Sequence, residues 1–395
     1  MKPLENTRVL DLTRVLAGPY CTMILADLGA HVIKVEMPGS GDDTRQWGPP
    51  FQNGESAYFL SINRNKKSLA LNLKRPRGRE VFLKLINSSD VLVENFRPGT
   101  MESLGLGYET LRASNPGLVY CSISGFGQTG PYNQRPGYDL LMQGMGGLMS
   151  ITGEEGGPPL KVGIAITDIG AGMWGALGIM AALNHRQRTG QGQLVDVALL
   201  DGVVSWLTFM AGIYFATGQN PPKLGSAHPT IVPYQAFQCS DGRWIVVAVG
   251  NDNLWLQFLT VIRDEAIASD PRFARNQGRV ENRKELVERL ERAFLQRDAA
   301  YWLLALEAAG VPVGPINTLE DVFRDPQVLA RDMLAEMDHP LVGRLNTLGV
   351  PVKLSLTPGS LDTPPPLLGE HTREILMGLG YSPEEVEEIQ GEATV

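Results

Sequence analysis

Apolar positions in the first 200 residues follow two alternating rhythms. Short apolar runs at residues 9–12, 32–35, 68–73, 90–95 and 118–124 have the length and composition of buried strands. Between them the spacing turns helical. Tyr20, Met23, Ile24, Asp27 and Leu28 recur at helical intervals, Pro19 sits as a first-turn proline, and Gly29 closes the run. Residues 77–87 predict another helix, and 101–114 predict helical turns. Strands that alternate with helices pair in parallel, so this pattern predicts a doubly wound α/β domain. The stretch 161–192, KVGIAITDIGAGMWGALGIMAALNHRQRTGQG, predicts a long helix opening at Thr167-Asp168. A strand at 193–199 and an apolar helix at 201–214 follow.

The grammar changes after residue 215. Residues 216–228, ATGQNPPKLGSAH, are rich in Gly and Pro and predict a linker. Strands at 232–238 and 244–249 flank Ser240-Asp241-Gly242-Arg243, a hairpin signal. Amphipathic helices are expected at 253–262, 281–296 and 299–309. Residues 1–215 thus make an α/β domain, and 229–317 a smaller α+β domain. Beyond them, 318–337 predicts helix, 350–356 a strand, 363–368 an extended segment and 372–379 a last helix.

Composition narrows the partners. The 395 residues are 43% hydrophobic and 20% charged, with a net charge of −8. An acidic balance argues against a nucleic-acid partner. Basic clusters at 64–67 and 74–79 suit either an anionic small molecule or a solvated face. Cys21, Cys121 and Cys239 are far apart, and the five histidines have no ligand spacing, so neither a disulfide framework nor a metal is expected. No stretch reads as a membrane span, and the N-terminus carries no leader pattern, so the expected location is cytoplasmic.

Asp168 is the leading candidate for chemistry. A carboxylate at a helix start feels the positive end of the dipole, and a surround of Gly170, Ala171, Gly172 and Gly175 would let a large ligand approach. The structural alternative is a plain helix cap. Loops at 35–43 and 95–99 follow strand ends, where ligands of such sheets gather. Together with the basic loop 63–67 they would suit a ligand with several phosphates, though salt bridges explain the cations equally well. Gly125 to Gly130 spell GxGxxG, but Pro131 and Pro136 bracket a non-helical stretch, which speaks against a dinucleotide site. There is no GxSxG, P-loop or HExxH string, which leaves a carboxylate as the catalytic group.

Five strings, in order, carry a resemblance: VLDLTRVLAGPYCTMILADLGAHVIKVE (9–36), SINRNKKSLALNLK (61–74), VLVENFRPG (91–99), the Asp168 segment with TGQGQLVDVALLDG (189–202), and PLLGEHT (366–372). Together they resemble the class III CoA-transferase family, which includes carnitine, bile-acid and formyl-CoA transferases. GDDTRQWGPPF, AHPTIVPYQAF and VPVGPIN look most similar to the branch that handles short dicarboxylates. The resemblance implies a Rossmann-like large domain to which 318–395 returns, and a homodimer of interlaced rings. It also implies CoA transfer from an acyl-CoA such as succinyl-CoA to an acid such as glutarate or 3-hydroxy-3-methylglutarate. CoA and acyl-CoA are substrates in that reading, with no tightly bound cofactor. Asp168 matches the family's nucleophile. CoA contacts are implied at Arg14, Ala17, Lys34, Leu71, Lys74, Asn95, Phe96, Arg97, Arg135 and Tyr138, and Arg14 or Arg45 is expected to meet a substrate carboxylate. Formyl-CoA transferases differ at Arg14, Leu16 and Met37 and in a glycine-rich flap, so formyl and oxalyl substrates are not implied.

Two rivals remain. A 2-methylacyl-CoA racemase of the same fold would use a histidine where Tyr138 stands, and tyrosine is a poor base near neutral pH. A CoA-binding subunit without turnover would not need Asp168.

Overall fold

The computed structural model describes residues 2–394. The chain forms two compact units. The first comprises the residues up to Leu148, Val162–Ala211 and everything from Pro326 onward; the second comprises Met149–Lys161 and Gly212–Asp325. The division differs from the expected one: residues 216–228 and 149–161 belong to the second unit, and the return comes at Pro326.

The first unit is built on six parallel strands: β1 (Arg8–Asp11), β2 (His31–Glu36), β3 (Lys66–Ala70), β4 (Val91–Glu94), β5 (Val119–Ser124) and β6 (Leu194–Ala198). Their order across the sheet is β3-β2-β1-β4-β5-β6. Order therefore reverses between β1 and β4, and a crevice opens at their carboxyl ends, the place where open α/β sheets bind ligands. Both faces of the sheet are covered, which is why the strands read as near-continuous apolar runs. Val9, Val91, Val93 and Cys121 point to one face. Leu10, Leu92 and Tyr120 alternate with them and point to the other.

Helices of this unit include α1 (Ala17–Asp27), α2 (Ala57–Ile62), α3 (Pro76–Ile86), α4 (Asp139–Met145), α5 (Ile166–Thr189) and α6 (Leu199–Ser205). Helix α5 packs on α1 and on β5 and β6. Contrary to expectation, α5 is long and apolar enough by length and composition to cross a bilayer; half of that window is buried inside the protein. It ends at Gly190, whose φ of +74° is the left-handed conformation that terminates helices. On the opposite face, Ile375 and Leu376 of the helix Thr372–Gly378, with Tyr381, Val386 and Ile389, complete the core.

Two expectations for the C-terminal third fail. Residues 318–337 do not form one helix: short turns at Leu319–Val322 and Pro326–Ala330 lead into the strand Leu334–His339, which pairs antiparallel with Gly343–Leu348. Asp325-Pro326 and the positive φ of Asp332 interrupt the helical run. Residues 350–356 form no strand.

The second unit has an antiparallel sheet in which Trp244–Ala248 lies between Tyr234–Gln238 and Val313–Pro315. Phe237, Trp255, Phe258, Phe294 and Trp302 pack its core. Arg279 is wholly buried there, donating to the carbonyls of Val232 and Phe273 and to Asp252.

Candidate active site

The crevice floor is ionic. At the end of β1, buried Asp11 accepts hydrogen bonds from the Thr13 amide at 2.9 Å, Thr22 Oγ1 at 2.6 Å and Lys66 Nζ at 3.1 Å. Burial alone would raise the Asp11 pKa, but Lys66 and Lys34 outweigh it and hold it at about 2. Lys34 Nζ, on β2, donates to the Thr13 carbonyl at 2.8 Å and pairs with Asp42 at 2.8 Å. Asp42 in turn accepts from the Val15 amide at 3.2 Å. These bonds fix the turn 13–16, in which Val15 takes a φ of +69°. A β-branched residue in that region is strained by about 1–3 kcal/mol, so the surrounding bonds must impose it. Lys34 was expected to touch CoA. The structure corrects this: its side chain is fully buried and its charge is spent on Asp42.

Arg45 is corrected likewise. Its guanidinium makes a bidentate pair with Glu36 at 2.7 Å on both arms, donates to the Pro366 carbonyl and lies 3.6 Å from the Phe59 ring centroid. A planar fork so engaged has no free edge for a substrate carboxylate.

Asp168 lies in the first turn of α5. It does not cap the helix. The amide and hydroxyl of Thr167 both donate to Asp139 of α4, at 3.0 and 2.9 Å. Among the described residues, no donor hydrogen-bonds to the Asp168 carboxylate. Burial, with the nearby Asp139 charge adding to it, pushes the Asp168 pKa up to about 7. Tyr58 of α2 is pushed up to about 12 by burial and by Asp168, Asp42 and Asp139, which places its phenol in the same field.

The small residues after Asp168 serve packing, not ligand access. A Cβ on Gly170 would strike the Trp206 ring, and one on Gly172 would lie 2.6 Å from the Ala17 carbonyl oxygen. They let α5 sit backbone-close against α1 and make room for the Trp206 ring that follows α6.

Asp168 opens onto a cavity whose wall also includes Arg14, Ala17, Asn95, Phe96, Arg97, Arg135 and Tyr138. All eight were expected at the site, and they come from the loops after β1 and β4, the starts of α1 and α5, and the segment before α4. Asn95 stitches two of these loops together, accepting from the Arg14 amide at 2.9 Å and donating to its carbonyl at 2.7 Å. Arg14 lies over the Phe96 ring and 3.5 Å from Asp43; Arg135 stacks on Tyr132. Three arginines around one carboxylate suit an anionic ligand. Leu71 and Lys74 line a neighbouring cavity with Leu12, Met37 and Leu104, and the two cavities share Arg14, Asp43 and Phe96. The GxGxxG segment forms a loop with Gly127 and Gly130 at positive φ, and Gly125 lines the wall. Among the described residues, no group of three or more His, Cys, Asp or Glu side chains could hold a metal ion. Tyr58 carries no signal of its own in the sequence. Asp139 follows Tyr138, where the racemase rival would place its histidine, but nothing in the spacing links it to Thr167.

Residues 4–372 match the model of CoA-transferase family III. The succinyl-CoA:glutarate CoA-transferase of Mus musculus is 49% identical over 95% of this chain and 86% of its own length. The succinate–glutarate CoA-transferase of Agrobacterium fabrum is 43% identical over 95% of this chain and 96% of its own. The crystal structure of a CAIB/BAIF family protein from Brucella suis superposes with a TM-score of 0.85 at 44% identity, covering 96% of this chain and 99% of that one. The central parallel sheet, its switch-point cavity and these relatives agree: the chain belongs to CoA-transferase family III and is an enzyme of that family.

Proposed function

We propose that this enzyme moves CoA between succinyl-CoA and a short dicarboxylate such as glutarate or 3-hydroxy-3-methylglutarate, with Asp168 as nucleophile. The observation that carries the reading is the unpartnered Asp168 carboxylate facing a cavity walled by Arg14, Arg97 and Arg135. The names of the mouse and Agrobacterium relatives support the substrate pair.

The chemistry needs no net proton transfer. An Asp168 oxygen attacks the thioester carbonyl, the C–S bond breaks, and CoA leaves as thiolate from a mixed anhydride. The thiolate attacks the aspartyl carbonyl, the anhydride C–O bond breaks, and the donor acid leaves as carboxylate. The acceptor carboxylate then attacks the aspartyl-CoA thioester, and the released thiolate attacks the new acyl carbonyl, restoring Asp168. The thioester's energy is kept in covalent form throughout. Arg97 and Arg135 on the wall meet CoA phosphates, and the cavity with Leu71 and Lys74 takes the distal part of CoA. Incubation with succinyl-CoA followed by hydroxylamine should modify Asp168, read by peptide mass spectrometry. A racemase or a binding subunit would leave it unmodified.

Arg14 is half-exposed beside Asp168's cavity and is the residue assigned to the distal carboxylate. Arg14→Gln is expected to lower kcat/KM for succinate and glutarate about tenfold or more, relative to a monocarboxylate of equal length. Equal losses for both acid classes would remove this assignment.

A second copy of this chain is the partner best supported. Leu140, Leu141, Met145, Met173 and Leu177 are exposed apolar side chains on α4 and α5, more than an isolated surface usually leaves open. Sedimentation as a monomer at micromolar concentration counts against a dimer.

A further inference from the structure

Helix α5 begins without a cap of its own: Ala165, at its start, makes no side-chain bond to the first turn. An acidic side chain at the third helical position commonly reaches back to the amides of that turn. Asp168 holds this position and does not do so. The acceptor comes instead from Asp139, on α4 and 28 residues before Thr167. One Asp139 oxygen takes the Thr167 amide and hydroxyl; the other takes Gln143 Nε2 at 2.8 Å. Buried Gln143 in turn accepts from the Val162 amide at 2.8 Å. The pair therefore grips the strand of chain that leads into α5 at two points, Val162 and Thr167.

We infer that Asp139 is a positioning residue for the transfer proposed above: it caps α5 from outside, so that the Asp168 carboxylate is left free and aimed into the cavity. The inference rests on Asp168 being the nucleophile. Asp139 never touches the reacting atoms; it acts on Asp168 through the Thr167 amide and through its own charge. The other charged or titratable groups facing Asp168 are Tyr58 from α2, Arg14 and Asp43 from the loops after β1 and β2, Arg97 after β4, and Arg135 and Tyr138 ahead of α4. Asp42 lies behind Tyr58. None of them bonds to the first turn of α5 among the described residues.

Two substitutions separate the two effects. Asp139→Asn keeps an oxygen for the Thr167 amide, removes the charge, and replaces the acceptor of the Gln143 Nε2 bond with an NH2. Asp139→Ala removes both the oxygen and the charge. Loss of a neighbouring negative charge favours ionised Asp168, so the acid limb of kcat in D139N should move to lower pH while kcat above that limb stays within about twofold of the parent. D139A should lose about tenfold or more in kcat at every pH with the KM for succinyl-CoA within about twofold, because the attacking oxygen is no longer held. A role in folding alone would lower the amount of active enzyme in both variants and leave kcat per trappable Asp168 at the parental value. If D139A does not fold, the D139N limb decides: an unmoved limb overturns the inference. Parental kcat in D139A overturns it too. Hydroxylamine trapping at Asp168 in the parent is the control. Its failure removes the nucleophile itself, whereas a trapped parent with unaltered Asp139 variants removes only the positioning role.

Discussion

Asp168→Ala is expected to abolish exchange of CoA between acids, by about 10³-fold or more, while the protein stays folded. The two halves of this expectation have the same origin. In the proposed chemistry every step passes through the Asp168 carboxyl group, and no second carboxylate of the cavity shares its position: Asp43 is paired with Arg14 and Asp139 is tied to Thr167 and Gln143. Yet the fold draws nothing from that carboxylate. Burial raises its pKa from 3.8 to about 7, which means that the ionised form is less comfortable in the folded chain than in the unfolded one. Between those values the folded state binds more protons, so the parent's stability falls as pH rises through that window. Alanine removes this dependence. Thermal unfolding should therefore show Asp168→Ala gaining on the parent between pH 4 and about 7. Retained exchange activity, or a variant that loses ground on the parent as pH rises through that window, contradicts the assignment.

Gly172→Val is expected to cost about 3 kcal/mol or more and to leave little folded protein, with Gly170→Val close behind. At Gly172 the added carbon meets the backbone carbonyl of Ala17 at 2.6 Å and the Cys21 amide nitrogen at 3.1 Å, neither of which can rotate away. At Gly170 it meets the Trp206 ring, which is a side chain and has some room to shift. The sequence alone suggests that these small residues leave room for a large ligand, and on that reading valine at either position blocks the ligand without unfolding the protein. Denaturant titration separates the two. A Gly172→Val variant with the parental midpoint and lost activity would restore the ligand-access reading.

Much of the fold was written in the pattern. Strands buried on both faces announce themselves as apolar runs, and the loops at 35–43 and 95–99 could be placed at strand ends from spacing alone. Asp168 was legible because a polar residue at the head of a small-residue helix is conspicuous. What stayed hidden depended on pairing across the chain. Arg45 looks like any loop arginine until Glu36 and Phe59 enclose it. Lys34 alternates with apolar neighbours as a solvent-facing residue would, yet Asp42 meets it in the interior. The hairpin 334–348 mixes charged and apolar residues in a way that helical spacing fits equally well, and only the pairing of its two strands decides.

The enforced conformation of Val15 bears on how variants of this enzyme are read. The turn that shapes the cavity is set by Lys34 and Asp42, which are cut off from solvent and from any ligand. A screen scored by activity would rank these two among the substrate-binding residues. A screen scored by ligand contact would pass over them. Redesign of acid selectivity should therefore keep this pair fixed and vary the wall above it, because a change beneath the turn alters every substrate at once.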